Sequence, residues 1–306
     1  MRETRAMKRL GLLLMAPVLC CAQQAPRPRI LGVAHMALYV SDLGKARAFY
    51  KDFLGFAELD GSDRIAVIKI NDLQYLELFA ENPKEDGQLH HISFYTDSAG
   101  AMRHYLAARG VKVPETVGKG QLRDSSFAVK DPDGHTLEIV EYEPASRTMR
   151  EKGKFMPETR IAAHMMHVGI LVGALDPAMT FYGDLLGFQE FWRGSSSGRV
   201  LSWVNMRVPD GEDYLEFMLY SNPPDARERG VRNHVCLETP DVQKAVAILE
   251  TPRTRIGYER PIEVRLGTNR KRQANLFDPD GTRIELMEPH TVDGQPAPSS
   301  PAPPPR

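Results

Sequence analysis

Arg47-Ala48-Phe49-Tyr50-Lys51-Asp52-Phe53-Leu54-Gly55-Phe56 and Met179-Thr180-Phe181-Tyr182-Gly183-Asp184-Leu185-Leu186-Gly187-Phe188 are one segment written twice in the same chain. Counted from the residue just before each copy, Ala46, Phe49, Tyr50, Phe53 and Leu54 fall at helical spacing, and Ala178, Phe181, Tyr182, Leu185 and Leu186 do the same. A Gly follows each run, so both copies read as an amphipathic helix with a glycine stop. Ser41 or Asp42 is suited to cap the first helix, and Asp176 followed by Pro177 reads as a cap with proline at the first helical position. Each helix is preceded by a strand. Over Ile30 to Val40, alternation puts His35, Ala37 and Tyr39 on one face and the purely apolar Met36, Leu38 and Val40 on the other.

Working outward, three strand-like stretches follow the first helix, near Phe56 to Leu59, Ile65 to Ile70 and Leu73 to Phe79, which makes a βαβββ unit. A second unit repeats the plan with His91 to Thr96, a helix from about Ser98 to Ala108, and strands ending at Val140. Asp131-Pro132-Asp133-Gly134 is its hairpin turn, because Pro presets φ and Gly accepts a positive one. Residues 145–160 are charged and aperiodic and read as a linker. The pattern then restarts at Ala163 to Val172 and closes with a second Asp-Pro-Asp-Gly turn at Asp278 to Gly281. The expected fold is α+β: four βαβββ modules in two internal repeats, at 28–144 and 161–289. Residues 290–306, rich in Pro, Ala and Ser, are expected to be a disordered tail.

The 306 residues suffice for two domains, and 39 Lys plus Arg against 40 Asp plus Glu leave a net charge of -1. No long-range field favours nucleic acid or an anionic membrane, which points to a small-molecule partner. Oligomeric state is not legible. At the N-terminus Lys8 and Arg9 precede an apolar run, Leu10 to Leu19, too short for an integral span, and Cys20-Cys21-Ala22 supplies small residues for cleavage. Residues 1–22 are therefore expected to be a signal peptide and the protein to be exported, to a periplasmic or extracellular location. A lipid anchor is the alternative, although Val18-Leu19-Cys20-Cys21 fits a lipoprotein signal poorly. Cleavage would leave Cys236 alone, with no internal disulfide and no cysteine-based zinc cluster.

Candidate chemistry lies at two recurring points. Four strands carry an apolar-Glu-apolar pattern, with Glu77, Glu138, Glu216 and Glu285, and upstream of each a His opens a strand: His35, His91, His167 and His234. A lone His or Glu on a strand is usually structural, but solvation gives no reason for one register to recur in four modules. His90 and His164 stand nearby at less suitable positions. Two imidazoles and two carboxylates without a thiolate suit a divalent Zn, Ni, Co, Fe or Mn ion. Two adjacent coordination positions would stay open for a substrate with neighbouring oxygens, and a Glu could serve as base.

These segments resemble the vicinal oxygen chelate (VOC) superfamily, which includes glyoxalase I, methylmalonyl-CoA epimerase, fosfomycin-resistance proteins, bleomycin-binding proteins and extradiol dioxygenases. The resemblance covers about residues 30 to 289 and implies two tandem VOC domains with concave mixed sheets. The glyoxalase I ligand pattern falls on His35, Glu77, His91 and Glu138, and again on His167, Glu216, His234 and Glu285, with Glu138 and Glu285 the catalytic candidates. Epimerases carry Gln where this chain has Glu77 and Glu216. Extradiol dioxygenases carry a Tyr and a His ahead of the last Glu, whereas the tenth residue before Glu285 is Asn275 and before Glu138 is Ala128. Modules could pair within each half, or the first with the fourth and the second with the third. The resemblance implies a metal-dependent lyase or isomerase, with an extradiol-type dioxygenase and a non-enzymatic small-molecule binder as alternatives. Export disfavours a thiol-conjugate substrate, which belongs to a reducing compartment.

Overall fold

The computed structural model describes residues 25–81 and 87–305; the expected signal peptide lies outside them. The first half comprises β1 (Ile30–Val40), α1 (Leu43–Arg47), β2 (Ala57–Gly61), β3 (Ile65–Lys69), β4 (Tyr75–Ala80), β5 (Leu89–Thr96), α2 (Ala99–Ala107), β6 (Gly118–Lys119), β7 (Ser125–Lys130) and β8 (Thr136–Glu141). After α3 (Arg147–Arg150), the second half runs through β9 (His164–Val172), α4 (Leu175–Ala178), β10 (Gln189–Gly194), β11 (Trp203–Arg207), β12 (Tyr214–Leu219) and α5 (Ala226–Arg232). It ends with β13 (His234–Glu238), α6 (Val242–Leu249), β14 (Val264–Leu266), β15 (Lys271–Phe277) and β16 (Arg283–Thr291).

Each half forms one eight-stranded mixed sheet, ordered β2-β3-β4-β1-β5-β8-β7-β6 and β10-β11-β12-β9-β13-β16-β15-β14. Two βαβββ modules meet at the antiparallel pair β1·β5 in the first sheet and β9·β13 in the second. Modules therefore pair within each half, and the two four-residue sets stay intact. Met36, Leu38, Leu76 and Ile92, fully buried, join the helices and the equivalent residues of the second half in one core, with Phe94 edge-on to Phe188 at 5.1 Å.

The duplicated helix segments are not plain α-helices. Ala48–Phe53 and Met179–Leu185 widen to π-helix, with Leu54 N bonding Phe49 O and Leu186 N bonding Phe181 O. Asp42 caps α1 by accepting from Lys45 N, as expected. The cap of α4 is instead Ala174, which places Asp176 and Pro177 inside the first turn. Proline is tolerated there because its missing N–H is one of the turn's unpaired donors in any case.

The repeated motifs read separately in the sequence meet across the two halves. Tyr50 OH donates to Asp278 Oδ2 at 3.1 Å, and Tyr182 OH donates to Asp131 Oδ2 at 3.0 Å. Each tyrosine of one half thus closes the Asp-Pro-Asp-Gly turn of the other, while Gly134 and Gly281 take the positive φ of 88° and 87° that the turn needs. Equivalent reciprocal contacts join the strand ends. The Gln74 amide donates to Met165 O and accepts from Met165 N, and Asp213 Oδ2 accepts from Val33 N at 2.8 Å.

The segment read as a linker and the tail expected to be disordered are both held by hydrogen bonds. In 145–160, the Glu151 and Lys154 carbonyls accept from the buried Lys69 Nζ at 2.7 and 2.8 Å. The tail expected to be disordered packs against β10: Ser300 N donates to Arg193 O, Leu201 N to Pro303 O, and Trp192 Nε1 to Pro298 O at 3.0 Å. Proline removes donors but keeps its carbonyls, so an extended Pro-rich chain can satisfy an exposed sheet edge.

His164 joins Asp213 Oδ1 at 2.7 Å and Glu238 Oε2 at 2.8 Å. Burial would lower its pKa, but the two carboxylates outweigh burial and push it up to about 9. A raised folded-state value means that the stabilisation is complete below the unfolded value near 6.5 and fades as pH rises through 9. Unfolding free energy, and the melting temperature with it, is expected to fall across that window in the wild type by about 1 to 2 kcal/mol after discounting for partial exposure, and to stay flat in His164→Gln. Parallel melting profiles would contradict this.

Candidate metal centres

The ligand-type residues arrive on one face of each sheet because paired residues share a face. In the second sheet one cross-strand row runs Trp192, Asn205, Glu216, Gly169, His234, Arg283. The adjacent row runs Tyr214, His167, Cys236, Glu285, Asn275. The first sheet places Asp60, Val67, Glu77, Ala37 and His91 in one row and Tyr75, His35, Ser93, Glu138 and Ala128 in the other. All eight sequence-derived residues thus converge in two groups of four.

In the first group His35 Nε2 and His91 Nε2 lie 2.7 Å apart. Glu138 Oε2 is 3.0 and 3.6 Å from these two nitrogens, and Glu77 Oε2 is 4.0 and 3.9 Å from them. In the second group His167 Nε2 and His234 Nε2 are 3.1 Å apart. Glu216 Oε2 is 4.0 and 3.5 Å from them, and Glu285 Oε2 is 3.6 and 3.7 Å. Donors about 2.1 Å from one ion stand ~3.0 Å apart when adjacent in an octahedron and ~4.2 Å when opposed. The observed separations fit a shared divalent ion, and donor atoms of His35, Glu77 and His91, and of His167, His234 and Glu285, lie within 4.8 Å of one another.

Electrostatics splits the carboxylates into two kinds. Burial pushes the Glu77 carboxyl up to about 7, with the neighbouring Glu138 adding to the rise and His91 opposing it. Burial would raise Glu138 as well, but hydrogen bonds with His35 and His91 prevail and hold it well below the usual range. The second centre repeats the split: burial and the charge of Glu285 raise Glu216, while Glu285, despite its burial, is lowered by His234 and Arg283. Burial lowers His167 and His234, so both imidazoles are neutral and able to donate lone pairs.

The supporting side chains include some that the sequence reading passed over. His35 stacks on Tyr75 at 4.6 Å and His167 lies against Tyr214 at 4.4 Å. Tyr75-Leu76-Glu77 and Tyr214-Leu215-Glu216 repeat this residue in both halves, a signal that would have found it. His90 is not a member of the first group: it sits beside His91, Nδ1 to Nδ1 at 2.8 Å, and stacks on Phe79. His164 belongs to the Asp213 and Glu238 network. The Ala128 and Asn275 positions face Glu138 and Glu285 across the strands, and the Asn275 Oδ1 is buried without a partner.

The model of the Glyoxalase/Bleomycin resistance protein/Dioxygenase superfamily matches residues 32–139 and 164–286. No curated protein matches the chain. Among solved structures, homoprotocatechuate 2,3-dioxygenase from Brevibacterium fuscum is similar over 91% of this chain and 76% of its own, at 19% identity and a TM-score of 0.67. A 2,3-dioxygenase from a Pseudomonas species matches 89% of this chain and 97% of its own at 16% identity and a TM-score of 0.67. The Mn(II)-bound glyoxalase from Novosphingobium aromaticivorans matches 85% and 83% at 18% identity and a TM-score of 0.63. At such identities the likeness concerns the fold. The family match spans both halves and most of the chain, and the protein belongs to the Glyoxalase/Bleomycin resistance protein/Dioxygenase superfamily.

Proposed function

We propose that the protein is an exported, metal-dependent enzyme of the glyoxalase I type, a lyase or isomerase acting on a small substrate with two neighbouring oxygens. The observation that carries this reading is the convergence, in both centres, of two imidazoles and two carboxylates at separations that one divalent ion can span. His35 and His91, or His167 and His234, would hold the ion together with the two glutamates of their half. When bound, the ion would supply Lewis acidity toward the neighbouring oxygens of a substrate. Glu138 and Glu285, held ionised, are placed to accept a proton, while Glu77 and Glu216, which hold a proton near neutral pH without an ion, would give it up on ligation. Because a ligating carboxylate must lose its proton, ion binding would release protons and strengthen as pH rises through about 7 at the first centre and about 8 at the second.

Metal analysis of the purified protein tests the reading, with two divalent ions per chain expected and none overturning it. An extradiol ring cleavage is the second reading, favoured by the His167, His234 and Glu285 triad and by the dioxygenase-like fold. Oxygen uptake on catechols with Fe(II) separates the two: consumption stoichiometric with substrate would establish the dioxygenase and remove the isomerase.

A further inference from the structure

The two centres share a donor set and differ in what surrounds it. Over the second lies a cavity of about 240 Å³ whose walls include Trp192, Trp203, Glu216, Arg265, Arg283 and Glu285. At roughly 30 Å³ per water it holds about eight waters, room for the body of a compact ligand whose chelating oxygens lie on the ion. We propose that the second centre selects a compact, planar vicinal-oxygen ligand bearing an additional carboxylate, which Arg265 and Arg283 receive between the indoles of Trp192 and Trp203. This rests on the metal-dependent reading above.

Charge is the first reason. Two carboxylates cancel a divalent ion, which leaves the two guanidiniums as uncompensated positive charge at the cavity. Among the described residues neither arginine forms an ion pair, and Arg265 is exposed on the short edge strand β14. Arg283 Nε is buried without a partner, and its Nη2 lies 2.8 Å from His234 Nδ1. That nitrogen is also 2.7 Å from Arg232 O. When His234 Nε2 offers its lone pair to an ion, Nδ1 carries the hydrogen and donates it to Arg232 O. Nδ1 then has no lone pair for Arg283, whose donors need another acceptor, and a ligand carboxylate in the cavity supplies one.

Shape is the second reason. Trp192 is fixed on two sides, its Nε1 donating to Pro298 O and its ring lying over Gly194, where a Cβ would come within 2.2 Å of Cη2. A rigid aromatic wall favours a planar ligand. The first centre has other residues at the equivalent positions. Asp60, tied to Arg147 at 2.8 Å, stands where Trp192 does, Val67 replaces Asn205, and Gly118 takes the place of Arg265. His91 and Thr136 each precede the paired Ile92 and Leu137, so Thr136 stands at the position of Arg283. Leu59, Val67, Tyr75 and Leu122 form an apolar cluster in that half.

Calorimetric titration of the zinc-loaded protein with benzohydroxamate and 4-carboxybenzohydroxamate tests the proposal, since both chelate through two neighbouring oxygens and differ by one carboxylate. The carboxylated probe is expected to bind at least about tenfold more tightly. Arg265→Gln should erase most of that advantage while leaving benzohydroxamate within about threefold of its wild-type affinity, and Arg283→Gln, beside His234, should erase it as judged by the ratio of the two probes' affinities. The advantage should persist in His91→Ala, which disables the first centre alone. Equal affinities in the wild type, or an advantage that survives the double Arg265→Gln, Arg283→Gln change, would overturn the proposal and leave the metal reading standing. Failure of both probes to bind zinc-loaded protein would overturn the two together.

Discussion

A His234→Ala chain is expected to hold one divalent ion where the parent holds two, and to lose about a thousandfold or more in turnover. The loss of metal follows from the donor geometry. His234 Nε2 is 3.1 Å from His167 Nε2 and within 3.7 Å of both second-centre carboxylates, so its removal takes away one of four donors. The remaining Glu216 and Glu285 would face each other with one fewer neutral ligand between them. The loss of turnover follows from the cavity, because it is the second centre that opens onto the tryptophan and arginine walls. Lewis-acid stabilisation of several kcal/mol, at about 1.4 kcal/mol per factor of ten, corresponds to roughly a thousandfold. His91→Ala is the matched comparison: it should also drop the count to one ion while sparing most of the turnover. Elemental analysis and steady-state rates on the two variants check both statements, and equal rate losses would assign turnover to the two centres alike.

Much of this organisation is legible in the chain before any coordinates. The Phe-Tyr helix ends and the Asp-Pro-Asp-Gly turns mark the repeats because helix spacing and turn chemistry are local properties. The eight His and Glu positions are legible because strand alternation fixes the face on which each side chain stands. Pairing of modules was not legible, since β1 could in principle meet β5 or a strand of the other half with the same alternation; the register His35 to Ser93 decides it. Nor was the meeting of Tyr50 with Asp278, a contact between residues far apart in the chain that no local pattern encodes. The packing of the tail was not legible for a related reason. Its composition forbids a core of its own, yet composition says nothing about whether neighbouring groups, here Arg193 O, Leu201 N and Trp192 Nε1, pair with its backbone. The asymmetry of the centres was hidden in residues that look ordinary singly, Trp192 against Asp60 and Arg283 against Thr136, and acquires meaning only when the rows are aligned across the sheet.

Gly169 carries the second large expected effect. It stands between Glu216 and His234 in the row that crosses the second centre, at the place Ala37 holds in the first. The His234 ring lies directly over it, so that a Cβ at Gly169 would be 2.0 Å from Cε1 and 2.1 Å from Nδ1. Ordinary contact needs about 3.4 Å or more, so in Gly169→Ala the imidazole must shift by more than an ångström. Metal ligation tolerates about 0.2 Å. The ring cannot retreat without leaving Arg232 O, its tautomer-setting acceptor, and it is enclosed on β13 with no exposed surface. Gly169→Ala is therefore expected to weaken the second site for zinc by about a hundredfold or more, with a comparable loss in turnover, while the first site keeps its ion. The reverse change, Ala37→Gly, removes a methyl under His91 and should leave the first site's affinity within a few-fold. Competitive zinc titration against a chromogenic chelator measures both sites. A Gly169→Ala protein with two unaltered high-affinity sites would mean that His234 does not hold the ion in the orientation its Nδ1 contact sets, and the second centre would have to be rebuilt from His167, Glu216 and Glu285 alone.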